Sequence, residues 1–277
     1  MTEPTASART TAAILPLGPV DITFHAADGQ TLSGRYYPAM ENPAPLLILL
    51  HWAKGDQDDW NAIARWLQNR GMETEPTTGR PWTDTGWFPA LPKGFGPIGV
   101  FTFTFRGCEG GCKEFNREGW KLDAQAAFET AFQMEGVDPL QVAAAGASIG
   151  ADGAALGCAW LNLEAATLCY DRCGKPSPTA KLPCRGALSF SPGGYLTAAY
   201  AEEARALVKE SPPSAAWCVY APGDGPANDA CKSLEAPAFK AVEFTGSAHG
   251  MDLIRPGDSG EKALLMLAEF VTKTVSR

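Results

Sequence analysis

The sequence is poor in histidine, in long apolar runs and in blocks of like charge. Only three histidines occur among the 277 residues, at His25, His51 and His249, so any chemistry that needs an imidazole has few candidates. No stretch reaches the roughly 18 apolar residues of a membrane-spanning helix, so no such helix is expected. The net charge of −8 is not gathered into runs. An acidic chain repels nucleic acid and anionic membrane surfaces, so neither is an expected partner.

The chain otherwise has an ordinary globular composition with one atypical end. Hydrophobic residues make up 45% of it, enough for a sizeable core. Residues 1–18 are predicted to form a disordered tether, because the stretch from Met1 to Ala13 consists mainly of Thr and Ala and has little to bury. The stretch lacks the basic start and apolar centre of a signal peptide. It resembles the tether behind the lipid-bearing cysteine of bacterial lipoproteins, whose signal is removed. The alternative is an ordinary frayed N-terminus.

The cysteines, like the lipoprotein-like tether, indicate a protein outside the cytoplasm. There are eight of them: Cys108, Cys112, Cys158, Cys169, Cys173, Cys184, Cys218 and Cys231. An even count with several members in loop-like sequence predicts disulfides and an extracytoplasmic protein, secreted or lipid-anchored. Free thiols in a cytoplasmic protein are one alternative. Zinc is another, but the C-x3-C spacing of two pairs is looser than in a zinc knuckle, and no histidine lies nearby.

Short apolar segments alternate with longer helical ones, which predicts the α/β class. Strands are predicted at residues 20–25, 32–37, 46–51, 100–105, 142–147, 186–190, 217–221 and 241–244, with helices following most of them. Asp28-Gly29 predicts an antiparallel hairpin at the start, and Asp138-Pro139 predicts a turn before the fifth strand. The expected architecture is a mostly parallel central sheet of about eight strands with helices on both faces.

A single domain is expected over residues 19–277, because no internal repeat or interior linker is visible. Two insertions interrupt it, at about residues 72–99 and 163–185. The first contains Trp82, Trp87, Phe88 and Phe95, and aromatic residues this dense indicate packing rather than disorder. It either covers a site at the end of the sheet or packs on an unrelated surface.

The motif Gly146-Ala147-Ser148-Ile149-Gly150 is a G-x-S-x-G sequence. Such a motif can form a nucleophile elbow, a tight turn that lifts a serine hydroxyl clear of the sheet. The motif alone is weak, but here a predicted strand precedes Ser148 and a predicted helix of small residues follows it, as the elbow requires. Ser148 is therefore the candidate nucleophile.

A serine needs a base to take its proton, and a carboxylate to orient that base. Proteins with this elbow carry the three residues in the order serine, acid, histidine. His249 is the only histidine after Ser148, and it lies in a Gly-rich loop after the last predicted strand. Asp224 lies in the turn directly after the penultimate strand and is the preferred acid. Asp229, five residues further on, is the alternative and is expected to lie in a helix or to cap one.

Together these residues resemble an α/β-hydrolase, of the dienelactone hydrolase-like or small esterase type. The resemblance rests on the Asp28 to Gly34 segment, His51-Trp52-Ala53, Phe105-Arg106-Gly107, Gly146 to Gly150, Asp224 and His249-Gly250. It implies the α/β-hydrolase fold and an oxyanion hole formed by the backbone N–H groups of Ala53 and Ile149. Trp52 stands where the family usually has glycine, which puts the geometry of that loop in question. Dienelactone hydrolases proper carry a cysteine nucleophile, so their specific reaction is not implied.

The resemblance implies a serine hydrolase that cleaves a carboxylic ester or a related acyl bond through an acyl-enzyme. No metal and no organic cofactor is expected, and the expected partner is a small-molecule ester or acyl substrate. Two alternatives stay open: an inactive hydrolase fold that serves as a binding or scaffold protein, and peptidase or perhydrolase chemistry on the same fold. Nothing in the sequence specifies the acyl group or an oligomeric state.

Overall fold

A computed structural model describes residues 18–68, 87–168, 182–197 and 199–275 of the chain. The predicted tether, apart from Gly18, lies outside these residues. So do residues 72–86 of the first predicted insertion and residues 169–181 of the second, with Cys169 and Cys173. The described residues contain no helix that is both long enough and apolar enough to cross a bilayer.

Eight strands in the described residues form one sheet in the order β1-β2-β4-β3-β5-β6-β7-β8. The strands are β1 Val20–His25, β2 Thr31–Tyr37, β3 Ala44–Leu50, β4 Gly99–Phe103, β5 Val137–Ala147, β6 Cys184–Phe190, β7 Ala215–Tyr220 and β8 Phe239–Glu243. β1 pairs antiparallel with β2, and β2 pairs antiparallel with β4, whereas the later pairings are parallel. The predicted mostly parallel sheet and its N-terminal hairpin are confirmed.

Helices cover both faces of this sheet, as predicted. They are α1 Asn61–Leu67, α2 Arg117–Gln133, α3 Ile149–Leu168, α4 Tyr200–Lys209, α5 Gly225–Lys232 and α6 Asp258–Val275. Strand β3 shows why both faces need cover. Leu46, Ile48 and Leu50 belong to the core beneath α2 to α5, while Leu47 and Leu49 belong to the core beneath α1 and α6. A continuous apolar run is therefore buried on both sides.

The turn predicted at Asp138-Pro139 does not separate two elements, and that prediction is wrong. Both residues lie within β5, which begins at Val137. The Asp138-Pro139 sequence nevertheless makes turn-like contacts within the strand. The Leu140 N–H donates to the Asp138 carboxylate, and the β3–β5 register shifts nearby, between Ala44 and Leu46. Turn chemistry is present there, but it produces an irregularity inside a strand.

Six cysteines form three disulfides in the described residues, which confirms the prediction for these six. The pairs are Cys108–Cys112, Cys158–Cys184 and Cys218–Cys231. The first closes a turn after β4, the second joins α3 to the start of β6, and the third joins β7 to α5. Neither zinc ligation nor free thiols applies to these residues.

The described end of the first insertion packs on the α1 and α6 face of the sheet. Trp87 packs edge-on against Phe88, and Phe88 packs edge-on against Trp66 of α1. The Trp66 indole N–H donates to the Pro89 carbonyl at 2.7 Å. The density of aromatic residues therefore corresponds to packing in this part of the insertion.

Candidate active site

Ser148 lies on a sharp turn between β5, which ends at Ala147, and α3, which begins at Ile149. Its φ of 55° is a left-handed conformation that few non-glycine residues adopt. The turn brings strand and helix together so closely that a Cβ on Gly146 would lie 1.9 Å from the Gly150 carbonyl oxygen. The hydroxyl thus stands at the carboxyl edge of the parallel strands, in the geometry of a nucleophile elbow.

The structure brings the three predicted side chains into one hydrogen-bonded chain. His249 Nε2 lies 2.9 Å from Ser148 Oγ, and His249 Nδ1 lies 2.7 Å from Asp224 Oδ2. Because an ionised carboxylate only accepts hydrogen bonds, these contacts assign the imidazole proton to Nδ1 and leave Nε2 to accept the serine proton. The His249 side chain is 29% exposed, so the imidazole is open to a solute while Ser148 and Asp224 are mostly buried.

Asp224 owes its position to the turn after β7. Its N–H donates to the Ala221 carbonyl at 3.0 Å, and it occupies the N-cap position of α5. Asp229, the alternative acid, lies within α5, as expected for that residue. The carboxylate on the imidazole therefore belongs to the residue at the end of the turn between β7 and α5.

The loop that carries His249 depends on the glycine that follows it. Gly250 has a φ of 58°, and a Cβ there would lie 3.1 Å from the Trp52 ring and 3.4 Å from Ser148 Cβ. The backbone after His249 therefore packs directly on both Ser148 and Trp52. A side chain at this position would push His249 away from Ser148.

Ala53, a predicted oxyanion donor, lies in a loop that a buried histidine orders. His51 Nδ1 lies 2.7 Å from the Trp52 carbonyl oxygen, and the Phe105 N–H donates to His51 Nε2 at 3.0 Å. These partners assign the His51 proton to Nδ1 and fix the direction of the Trp52 carbonyl. Because the peptide is planar and trans, the Ala53 N–H points opposite to that carbonyl.

Ile149, the second predicted donor, is the first residue of α3, where backbone N–H groups precede the helical ladder. The first turn of α3 packs on the end of β3, because a Cβ on Gly150 would lie 2.3 Å from the Leu50 carbonyl oxygen and 2.5 Å from that of His51. The segments that carry the two predicted donors are thus in direct backbone contact.

Trp52, the departure from the family pattern, sends its side chain into the core and is 3% exposed. Two cationic groups lie over its ring, with Lys54 Nζ at 5.1 Å and the Arg255 guanidinium at 5.7 Å from the centroid. The indole therefore packs beside the loop and does not cover the Ala53 N–H, the predicted oxyanion donor.

A loop after β6 completes the surroundings of His249. The Tyr195 ring packs edge-on against the imidazole with centroids 5.9 Å apart. Asp152, buried in the first turns of α3, accepts the backbone N–H groups of Gly193 and Tyr195 and so anchors this loop. Burial raises the pKa of Asp152 to about 6. Burial, with the charges of Asp224 and Asp152, raises the pKa of Tyr195 to about 12, so its hydroxyl stays protonated.

Sequence reasoning did not single out Asp152, Tyr195 or the ordering role of His51. Asp152 carried a usable signal, since it is an acidic residue in a helix of small residues. Tyr195 carried none that separates it from other loop tyrosines. Among the acidic residues Asp56, Asp58 and Asp59, Asp56 caps the short helix that begins at Gln57, because its carboxylate accepts the Asp58 N–H. The described residues contain no cluster of three or more metal-ligating side chains.

The fold is similar to that of solved esterases and hydrolases. A hyperthermophilic esterase from Pyrobaculum calidifontis superposes with a TM-score of 0.57 and 17% identity, covering 92% of this chain and 83% of that one. An α/β hydrolase from Penicillium sp. sh18 gives 0.58 and 16%, over 94% and 99% of the two chains. A thermophilic carboxylesterase cloned from a metagenomic library gives 0.57 and 18%, over 96% and 92%.

No protein-family model and no curated protein sequence matches this chain. At the identities above, the structural likeness shows the fold, and the chain has the α/β-hydrolase fold, as the resemblance implied. None of the three structures is described as a dienelactone hydrolase, so that subtype stays a prediction.

Proposed function

Because the α/β-hydrolase fold here carries a serine, histidine and aspartate in hydrogen-bonded order, we propose that the protein is a serine hydrolase. It cleaves a carboxylic ester or a related acyl bond of a small molecule. The observation that carries the proposal is the chain from Ser148 Oγ through His249 to Asp224, with contacts of 2.9 and 2.7 Å. Solved esterases with the same fold support the substrate class.

The reaction follows from the positions of these groups. Ser148 Oγ attacks the carbonyl carbon while His249 Nε2 takes the hydroxyl proton, and Asp224 stabilises the resulting imidazolium. The carbonyl oxygen becomes an oxyanion, which accepts hydrogen bonds from the backbone N–H groups of Ala53 and Ile149. His249 then gives its proton to the leaving alcohol, and the acyl group remains on Ser148. Water, deprotonated by His249, attacks the acyl-enzyme and releases the acid.

The disulfides support a further proposal, that the protein works in an extracytoplasmic, oxidising compartment. Crosslinks of this kind persist there and are rare in the reducing cytosol. Fully reduced cysteines in protein isolated from its natural host would contradict this location.

A short-chain p-nitrophenyl ester assay tests the function. Ser148→Ala is expected to lower kcat by a factor on the order of 10⁴ to 10⁶, because the nucleophile is lost. Asp224→Asn is expected to lower kcat by roughly 10⁴, because the imidazole loses its orienting anion. Asp229→Asn is the matched control, and its kcat should stay within about twofold of wild type.

Wild-type protein no faster than Ser148→Ala would overturn the hydrolase proposal and favour an inactive binding fold. Equal losses in Asp224→Asn and Asp229→Asn would leave the nucleophile in place but remove the assignment of the acid.

A further inference from the structure

We propose that the disulfide-closed turn at residues 107–112 is a positioning element that holds the oxyanion donor Ala53 in place. The inference rests on the proposed function, because it concerns a donor for the oxyanion of that reaction. The turn follows β4, and the Ala53 loop follows β3. These two strands are parallel neighbours, with Leu50 opposite Phe103 at their ends. The two loops therefore leave the same edge of the sheet side by side.

Three contacts join the turn to the loop. The Cys112 N–H donates to the Ala53 carbonyl oxygen at 2.7 Å. The Gly110 N–H donates to Asp56 Oδ2, also at 2.7 Å. The backbone of Gly111 presses on Lys54, since a Cβ on Gly111 would lie 3.3 Å from the Lys54 carbonyl group. Backbone atoms of the turn thus meet the loop from Ala53 to Asp56 along its length.

The peptides before and after Ala53 are both held by hydrogen bonds to their carbonyl oxygens. The peptide before it is held at the Trp52 carbonyl oxygen, by His51 Nδ1 at 2.7 Å and by the Gly55 N–H at 3.3 Å. The peptide after it is held at the Ala53 carbonyl oxygen by Cys112. Because each peptide is planar, two fixed carbonyls leave the Ala53 N–H little freedom to turn away from a developing oxyanion.

The turn needs the crosslink because its sequence is permissive. Gly110 and Gly111 have φ values of 71° and 118°, and adjacent glycines gain much conformational freedom when a chain is released. The base of the turn is anchored, since the Arg106 N–H donates to the buried Asp123 carboxylate. At the far end of the turn is Cys112, the residue that donates to Ala53, and the backbone beside it returns to the base only through the Lys113 N–H to the Gly107 carbonyl at 3.2 Å and the Gly111 N–H to the Cys108 carbonyl at 2.9 Å. The disulfide to Cys108 ties that end to the anchored base.

The test compares two disulfide removals in the intact protein. Cys108→Ser with Cys112→Ser is expected to lower kcat ten- to a hundredfold with KM within about threefold, below the loss expected for a missing oxyanion donor. A trifluoromethyl ketone, which forms a tetrahedral adduct with the serine, should lose affinity by the same factor as kcat/KM. Cys158→Ser with Cys184→Ser removes a disulfide remote from the Ala53 loop and should leave kcat and ketone affinity near the wild-type values.

A second pair of variants keeps every cysteine and covers the case in which the disulfide variant does not fold. Gly111→Ala places a methyl group against the Lys54 backbone and should lower kcat and ketone affinity together. Gly257→Ala is the control for backbone strain, because Gly257 has a φ of 132° but open space where a Cβ would stand. Its kcat should stay within about twofold of wild type.

The inference is overturned if both Cys108→Ser with Cys112→Ser and Gly111→Ala keep kcat within twofold of wild type. It is also overturned if the remote disulfide removal costs as much as the removal at Cys108 and Cys112. Failure of the proposed function gives a different result, namely wild-type protein no faster than Ser148→Ala, and the inference then fails with it.

Discussion

The nucleophile elbow and the Ala53 loop each supply one proposed oxyanion donor, and they are held in different ways. Ile149 lies where β5 turns into α3, and the close approach of Gly146 and Gly150 leaves no room for rearrangement. Ala53 lies on a loop whose carbonyl groups are held by His51 and by Cys112. One donor is fixed by steric contact within a short segment, and the other by hydrogen bonds from residues distant in sequence.

The difference predicts two kinds of sensitivity. Steric fixation should fail abruptly, because a single added methyl group has nowhere to go in a close-packed core. Fixation by hydrogen bonds should fail gradually, since each lost bond contributes about 1 kcal/mol and the remaining bonds still bias the loop. Variants in the two regions can therefore separate loss of folding from loss of catalysis.

The largest effect is expected from Gly150→Ala at the elbow. The new methyl group would lie 2.3 Å from the Leu50 carbonyl oxygen, so the unfolding free energy should fall by about 3 kcal/mol. Ester hydrolysis should fall with it, because Ser148 moves. Chemical denaturation and the ester assay measure the two quantities. Gly153→Ala, on the same helix, meets the flexible end of the Leu50 side chain at 3.0 Å and should cost less than half as much. Equal costs would contradict steric fixation at the elbow.

A smaller effect is expected from His51→Ala at the loop. The change leaves the Trp52 carbonyl and the Phe105 N–H without their buried partner, so the unfolding free energy should fall by roughly 1 to 3 kcal/mol. The Ala53 N–H loses its fixed direction, so kcat should fall about ten- to a hundredfold while KM changes little. His25→Ala, in the exposed N-terminal hairpin, is the matched control. A loss in KM rather than in kcat would show that the loop acts in substrate binding instead.

The smallest effect on activity is expected from Asp152→Asn, in helix α3, which begins at the nucleophile elbow. Burial raises the pKa of Asp152 to about 6, above the usual range of an aspartate. The folded state therefore holds the Asp152 proton more tightly than the unfolded state does. The protonated carboxyl stabilises the fold fully below about pH 4, and this stabilisation is lost as the pH rises through about 6. The wild-type unfolding free energy should fall between pH 4 and pH 6 by up to roughly 3 kcal/mol more than that of Asp152→Asn.

Denaturation across that pH range measures the difference between the two proteins. The amide keeps one acceptor for the loop of Gly193 and Tyr195, so kcat/KM should fall less than tenfold at pH 7. Parallel stability curves for wild type and Asp152→Asn would contradict the account of the buried carboxylate.

The fold could be predicted largely from local patterns. The apolar run in β3 predicts a strand covered on both faces, and the alternation of strands with helices predicts the parallel sheet. Asp138-Pro139 misleads because a turn motif inside β5 produces the same signal as a boundary between elements. Chain order also brought Ser148, Asp224 and His249 forward as candidates, since only one histidine follows the serine.

The supports of the site could not be predicted in this way. Cys112 contacts Ala53 only because β3 and β4 are parallel neighbours in a particular register, and a single sequence does not state that register. Phe105 and His51 are 54 positions apart, so their hydrogen bond leaves no local pattern. Asp152 and Tyr195 meet through the loop after β6, whose path depends on the whole sheet.

Labelling with a fluorophosphonate is the most direct test of whether Ser148 is an activated nucleophile, because the probe reports such a serine without any choice of substrate. One equivalent of probe should react, the intact mass should rise by one adduct, and peptide mapping should place the adduct on Ser148. Ser148→Ala should take up no probe, and His249→Ala should react at least a hundredfold more slowly, since the base is lost. If wild-type protein takes up no probe, or if Ser148→Ala is labelled as fast as wild type, Ser148 is not the activated nucleophile.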